Sequence, residues 1–174
     1  KLRSVVMPLD TDARLNIKIV RKAKVLTYPF MDYFKGFEKL EAVKRIFGEE
    51  TDEVLKSLRV EFSSGRGYMG VSDEDGHLRV SANYLNNGDL LDLYLDVIHE
   101  LVHVKQFMDG VKLFDGNFRY INRPTEIEAF RHAVDEARRI GLNEKQILDY
   151  LRTERMSEED LEQLAKNLGV RIVM

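Results

Sequence analysis

The segment from Leu90 to Met108 constrains the fold of this chain more than any other part of it. On a helical wheel at about 100° per residue, its apolar residues share one broad face, and two histidines, two aspartates and a glutamine share the opposite face. Asn86-Asn87-Gly88 is typical of a turn, and Asp89 suits the N-cap position of a helix. The sequence therefore predicts an amphipathic helix over 90–108 whose polar face lines a cleft.

His99 and His103 within this helix have the spacing of a metal-binding pair. Positions i and i+4 project from one helical face, so both imidazoles can reach the same ion. Glu100 is turned about 100° around the helix axis, which places it beside a metal to act on a water molecule rather than to ligate. With four histidines in 174 residues, an H-E-x-x-H run arises by chance on the order of once in a hundred chains. The helical context favours a metal site over chance.

A catalytic zinc site needs a third protein ligand and keeps its fourth position for water or substrate. The chain has no cysteine, and His77 and His132 are its only other histidines. A carboxylate is therefore the expected third ligand, and Glu126 and Glu128 are the two candidates.

The two glutamates differ in the face that each would occupy on a second helix starting at Thr125. Glu126 falls at the N-terminal end of the inward stripe, which continues with Ala129, Phe130, Ala133, Ala137 and Ile140. Glu128 points away and has the T-x-x-E spacing of a capping box with Thr125. We therefore favour Glu126 as the ligand and keep Glu128 as the alternative.

These residues resemble the zincin metallopeptidases, and among them the gluzincin-like group, in which H-E-x-x-H is followed by a glutamate helix. The motif here is His99-Glu100-x-x-His103 and then Glu126-x-x-Ala129, and the resemblance covers about residues 81–141. It implies a peptidase in which His99, His103 and Glu126 hold Zn²⁺ and Glu100 is the general base for a zinc-bound water. The implied partner is a peptide or protein substrate.

Two alternatives remain open beside this interpretation. An amidase or another hydrolase that acts on a polar carbonyl would use the same groups, since the Lewis acidity of zinc is not specific to peptides. The rival function is a zincin-like metal-binding regulatory or interaction module without significant turnover.

Zincins also stabilise an oxyanion, often with Tyr, His or Arg. Tyr120, Arg123, Arg131 and His132 are near in sequence, but none is assigned a catalytic role, and His132 is expected to be solvated. Residues 78–83 resemble the exposed edge strand with which zincins bind extended substrate, and an ordinary hairpin is the equal alternative.

The rest of the chain predicts an α+β, zincin-like single domain. A small antiparallel sheet precedes the H-E-x-x-H helix, and the glutamate helix and C-terminal helices follow it. We place a metallopeptidase domain at 1–141 and a helical extension, packed on it or appended to it, at 142–174. Strands are predicted over 58–63, 67–72 and 78–82, and further helices over 31–47, 51–58, 143–152 and 157–167.

Composition excludes several classes of partner. A net charge of -3 and a pI near 5.9 give no electrostatic case for nucleic-acid binding. Residues 1–11 lack an apolar signal core, and no run of about 20 apolar residues is available to span a membrane. The expectation is a cytoplasmic protein without a membrane partner, and the oligomeric state is left open.

Overall fold

A computed structural model of the chain describes residues 12–173, so the segment 1–11, predicted to lack a signal core, lies outside the described residues. The described chain is an α+β domain, as the sequence predicts. Its elements in chain order are β1 (Lys18–Ile19), β2 (Thr27–Pro29), α1 (Phe30–Tyr33), β3 (Phe34–Lys35), α2 (Glu41–Phe47), α3 (Thr51–Ser57), β4 (Arg59–Ser63), β5 (Met69–Val71), β6 (Leu78–Ser81), α4 (Ala82–Asn87), α5 (Leu90–Met108), α6 (Pro124–Arg139), α7 (Glu144–Leu151) and α8 (Glu158–Leu168).

The main sheet has the strand order β2-β4-β6-β5. The outer pairings, β2 with β4 and β5 with β6, are antiparallel as expected, and the central pairing of β4 with β6 is parallel. Of the two equal alternatives for residues 78–83, the edge strand is wrong, because β6 is paired on both sides, and the hairpin is confirmed by the antiparallel pairing of β5 with β6. Strand β5 precedes β6 in the chain but lies outside it in the sheet. It is therefore an edge strand, and it packs on α5.

Residues 31–47 do not form the single helix that their apolar spacing predicts. Gly36 interrupts the helix with a φ of 92°, and a Cβ at this position would lie 2.7 Å from the carbonyl oxygen of Asn16. The chain therefore divides into α1, β3, a 3₁₀ turn at Phe37–Lys39 and α2. The apolar residues of the predicted stripe are buried nonetheless, namely Phe34, Phe37, Leu40, Val43, Ile46 and Phe47.

Helix α5 runs over Leu90–Met108, as predicted, and the Asp89 side chain accepts hydrogen bonds from the amides of Leu91 and Asp92. In the folded chain the central part of α5 has no distinct exposed face, because α6, α2 and β5 pack around it. The residues from Leu93 to Val104 are therefore buried on nearly every side of the helix. The two histidines are nearly fully buried, and both line a cleft, as the sequence predicts.

The C-terminal helices join the same hydrophobic core as the rest of the domain. Asn143 caps α7 in a capping box with Gln146, and Gly169 ends α8 in the left-handed conformation. Leu148, Leu151 and Leu164 belong to the buried cluster that includes α5. Helix α8 also packs on α6 and on the 3₁₀ turn Tyr120–Asn122. Between residues 12 and 173, no helix is both long enough and apolar enough to cross a membrane.

His77 follows the turn Asp73-Glu74-Asp75-Gly76 and lies between two carboxylates. Its Nε2 lies 2.7 Å from a carboxylate oxygen of Glu61, and its Nδ1 contacts the carboxylate of Asp75. Desolvation opposes protonation, but the hydrogen bonds to Glu61 and Asp75 outweigh it and raise the pKa of His77 above the ordinary 6.5. The same contact with His77 lowers the pKa of Glu61 below 4.5 and that of Asp75 below 3.8.

Replacing His77 with glutamine is expected to reduce stability in a pH-dependent way. Because the pKa of His77 is higher in the folded state than the unfolded value of 6.5, its protonated form stabilises the fold fully below pH 6.5. This stabilisation is lost as the pH rises through the pKa of the folded state. The carboxylates that pair with His77 are ionised above about pH 4.5. The free energy of unfolding of the wild type should therefore exceed that of the variant by about 0.5–1 kcal/mol near pH 5.5, and by less at pH 8. Urea denaturation at both pH values measures this, with His132→Gln as the control. An equal difference at both values would contradict the ion-pair account.

Candidate metal centre

His99 and His103 lie one turn apart on α5 and point to a common space. Their Nε2 atoms are 3.2 Å apart, and the residues are 5% and 6% exposed. His99, Glu100 and His103 form a buried group that could hold a metal ion, with ligand atoms within 4.8 Å of one another.

Helix α6 brings Glu126 to the same space. One carboxylate oxygen of Glu126 lies 3.0 Å from Nε2 of His99, and the other lies 3.2 Å from Nε2 of His103. Helix α6 packs on α5, and its residues Ala129 and Ala133 are fully buried, where small side chains allow helices to approach closely. Of the two candidate glutamates, the structure brings Glu126 to the histidines.

Glu128 does not form the predicted capping box. The helix begins one residue earlier than expected, with Pro124 in its first turn and Arg123 as an N-cap without a side-chain hydrogen bond. The hydroxyl of Thr125 instead donates to the carbonyl of Leu113 at 3.1 Å. Glu128 is exposed and accepts a hydrogen bond from Gln106 at 3.2 Å.

Gln106 fixes the orientation of His103. Its amide nitrogen donates to the carbonyl of Thr125 at 3.0 Å, so its amide oxygen faces Nδ1 of His103 at 2.7 Å and accepts from it. The proton of a neutral His103 therefore lies on Nδ1, and the lone pair of Nε2 points toward Glu126 and His99. Metal-binding histidines are commonly oriented by such a contact.

The electrostatics of this group favour a positive charge between the three side chains. Desolvation alone would raise the pKa of Glu126, but hydrogen bonds from His103 and His99 lower it below its usual value. Desolvation alone would lower the pKa of His103, but the hydrogen bond to Glu126 raises it to about 9. A proton or a metal ion can supply that charge.

Glu100 lies beside His99, His103 and Glu126 but forms no side-chain hydrogen bond with them. Burial raises the pKa of Glu100 to about 7, and the nearby histidines offset only part of this effect. Within the described residues no side chain donates a hydrogen bond to its carboxylate. A carboxylate with a free hydrogen-bonding capacity and a pKa near neutrality suits proton transfer.

The candidate metal centre opens into a cleft made of two adjoining chambers. The first, the strand-side chamber, has a volume of about 390 Å³, and the second, the helix-side chamber, has a volume of about 210 Å³. His99, Glu100, Tyr68, Met69 and Tyr120 line both. The strand-side chamber is further lined by Arg66, Gly70, Val71, Arg79, His103, Leu113, Phe114 and Glu126, and the helix-side chamber by Tyr84, Asp92, Asp96, Phe130, Asp149, Tyr150 and Arg152.

Of the four residues considered as oxyanion partners, Tyr120 alone lines the cleft. Desolvation raises its pKa, and the carboxylates of Glu126 and Glu100 raise it further, so the phenol keeps its proton at neutral pH. Arg123 donates to the carbonyl of Asp115, and Arg131 donates to the carbonyl of Asn167. His132 is half-buried on α6 away from both chambers.

Sequence reasoning missed the roles of Gln106 and Asp96. Gln106 lies three residues after His103, a spacing that makes helical neighbours, so it could have been identified. Asp96 accepts hydrogen bonds from the hydroxyls of Tyr84 at 2.5 Å and Tyr150 at 2.8 Å. Tyr150 lies on α7, and no local pattern indicates this long-range contact.

The fold and the site together define an α+β domain with a buried group, His99, Glu100 and His103, that could hold a metal ion. Comparisons of the chain with protein-family models, with curated proteins and with solved structures give no match.

Proposed function

We propose that this chain is a zinc-dependent metallopeptidase in which His99, His103 and Glu126 bind the metal and Glu100 is the general base. One observation carries the proposal. Glu126 comes from a second helix to within 3.0 and 3.2 Å of the two imidazole nitrogens, and Glu100, without a hydrogen-bond donor among the described side chains, stands beside them. Three ligands and a separate base are the parts that zinc-assisted hydrolysis needs.

The spacing of the three side chains supports zinc as the ion. Ligand atoms of a tetrahedral zinc site lie about 3.3 Å apart when each bond is about 2.0–2.1 Å. The two Nε2 atoms are 3.2 Å apart, and each lies near a different carboxylate oxygen of Glu126, at 3.0 Å for His99 and 3.2 Å for His103. Two imidazoles with one carboxylate form a donor set that suits zinc.

The proposed reaction divides the work among the residues of the cleft. Bound zinc would supply Lewis acidity, which polarises a carbonyl and acidifies water. Glu100 would accept the proton of the attacking water and pass it to the leaving amine. Gln106 would hold His103 in its binding tautomer.

Strand β5 supports a peptide as the substrate. It is one of the two edge strands of the main sheet, and Met69, Gly70 and Val71 line the strand-side chamber beside the proposed metal centre. An edge strand presents unpaired backbone N–H and C=O groups, and an extended peptide can pair with these by adding a strand. The peptide bond would then lie across the metal centre.

Removal and return of zinc test this proposal. Elemental analysis after dialysis should find one zinc per chain, and the loaded protein should cut a mixture of peptides that mass spectrometry reads. Dialysis against a chelator should abolish cutting, and zinc should restore it, while circular dichroism shows that the chain stays folded. A folded chain that takes up no zinc would contradict the proposal, and a loaded chain that cuts no peptide would favour the metal-binding module.

A further inference from the structure

We propose that Arg66 and Arg79 form an anion subsite in the strand-side chamber, which binds a carboxylate of the peptide substrate. This inference rests on the proposed peptidase function and specifies its substrate. The two residues supply the positive side chains that line this chamber. A substrate with an acidic group on one side of the cleaved bond would thereby be preferred.

The two arginines flank the edge strand beside the metal centre. Arg79 lies on β6 and is paired in register with Gly70 of β5. Arg66 lies on the loop between β4 and β5, and Ser81 fixes this loop at two points. The hydroxyl of Ser81 donates to the carbonyl of Gly65 at 3.0 Å, and its amide donates to the carbonyl of Tyr68 at 2.9 Å. The loop is therefore held beside the strand-side chamber, which Arg66, Gly67 and Tyr68 line.

Both guanidinium groups keep donors free for a ligand. Nε of Arg79 donates to Glu61 at 3.2 Å, and no other acceptor for this guanidinium exists within residues 12–173. Arg66 has neither a hydrogen bond nor an ion pair with any described residue. A guanidinium presents several N–H donors in a planar fork that matches a carboxylate, and such charge-assisted hydrogen bonds are stronger than neutral ones.

The opposite end of the cleft has the opposite character. Asp92, Asp96 and Asp149 line the helix-side chamber, and Arg152, its basic residue, forms an ion pair with Glu158. A carboxylate of the substrate is therefore disfavoured at that end. Because His99 and Glu100 line both chambers, an acidic group is favoured on only one side of the cleaved bond.

Two parts of a peptide carry the required chemistry, an acidic side chain and the free C-terminal carboxylate. Both would make the same contacts with a guanidinium. Peptides with amidated C-termini test binding of the acidic side chain alone, and peptides with glutamine in place of glutamate test binding of the C-terminal carboxylate alone.

The first test measures binding without turnover. Zinc-loaded Glu100→Gln protein is titrated with two pools of short labelled peptides. The peptides are randomised except at one position, which is Glu in the first pool and Gln in the second. Each pool is prepared once with free and once with amidated C-termini. We expect the anionic peptides to bind about tenfold more tightly, with a preference that weakens as salt is added. Adding Arg66→Gln and Arg79→Gln to the Glu100→Gln protein should remove the preference for anionic peptides and leave the affinity for the neutral pool unchanged. The control substitution Arg45→Gln on α2 should change neither the preference nor the affinity.

The second test reads the cut sites of the wild type in a mixed peptide library. Asp, Glu or a free C-terminus should be enriched on one side of the cut and lose that enrichment in the double variant. Equal binding and cutting of acidic and neutral peptides would overturn the subsite while the peptidase function stands. Failure of every peptide pool to bind would also overturn the subsite, and the presence or absence of cutting by the wild type decides the function separately.

Discussion

Replacing Glu126 with alanine is expected to leave a folded chain that no longer retains zinc through dialysis. Three protein ligands share a zinc binding free energy of roughly 10 kcal/mol or more, so loss of one should weaken binding on the order of a hundredfold or more. Glu126→Gln, which nearly preserves the shape of the side chain, should have the same effect without opening a cavity. Elemental analysis and competition with a zinc-binding dye measure the change.

The matched control is Glu128→Ala, two residues further along the same helix. Glu128 is exposed and outside both chambers, so its removal should leave one zinc per chain. Loss of zinc from the Glu128 variant and retention in both Glu126 variants would reverse the assignment. Circular dichroism on every variant separates loss of the ligand from loss of the fold.

Replacing Glu100 with glutamine is expected to lower kcat by on the order of 10²- to 10⁴-fold while zinc content stays unchanged. The amide has nearly the shape of the carboxylate but cannot take a proton from water. The substitution removes no side-chain hydrogen bond among the described residues, so the fold should be little affected. Turnover of a peptide found in the library digest, measured beside zinc content, gives both quantities.

Glu128→Gln is the control for this second prediction, because it makes the same chemical change on a glutamate outside the cleft. It should retain full turnover. Full turnover in the Glu100 variant would show that another group acts as the base. If neither the wild type nor the variant turns over any peptide and both keep zinc, a metal-binding module becomes the better description.

The parts of the site that the sequence predicts are those set by a single helix. The bounds of α5 follow from apolar spacing and the Asp89 cap, both of which are local. The distinction between Glu126 and Glu128 follows from two residues that face different sides of one helix, and the structure places only Glu126 beside the histidines. Local periodicity suffices because each helix carries its own candidate ligands in a fixed geometry.

The parts that could not be predicted depend on contacts between distant segments. Gly36 breaks the helix expected over 31–47 because its backbone meets Asn16, and no spacing of apolar residues shows this. The alternation within β5 and β6 indicates strands but not their neighbours, so the sequence could not decide between an edge strand and an ordinary hairpin for residues 78–83. The hydroxyl of Thr125 bonds to Leu113 across the loop, which removes it from the capping box that its own helix allowed.

The division of the three proposed ligands between α5 and α6 has a consequence for how the protein is made. His99 and His103 leave the ribosome before Glu126, so the proposed third ligand is missing while α5 is synthesised. Glu126 reaches the histidines once α6 packs on α5. Under the proposed function, loading with zinc would therefore follow the packing of the two helices.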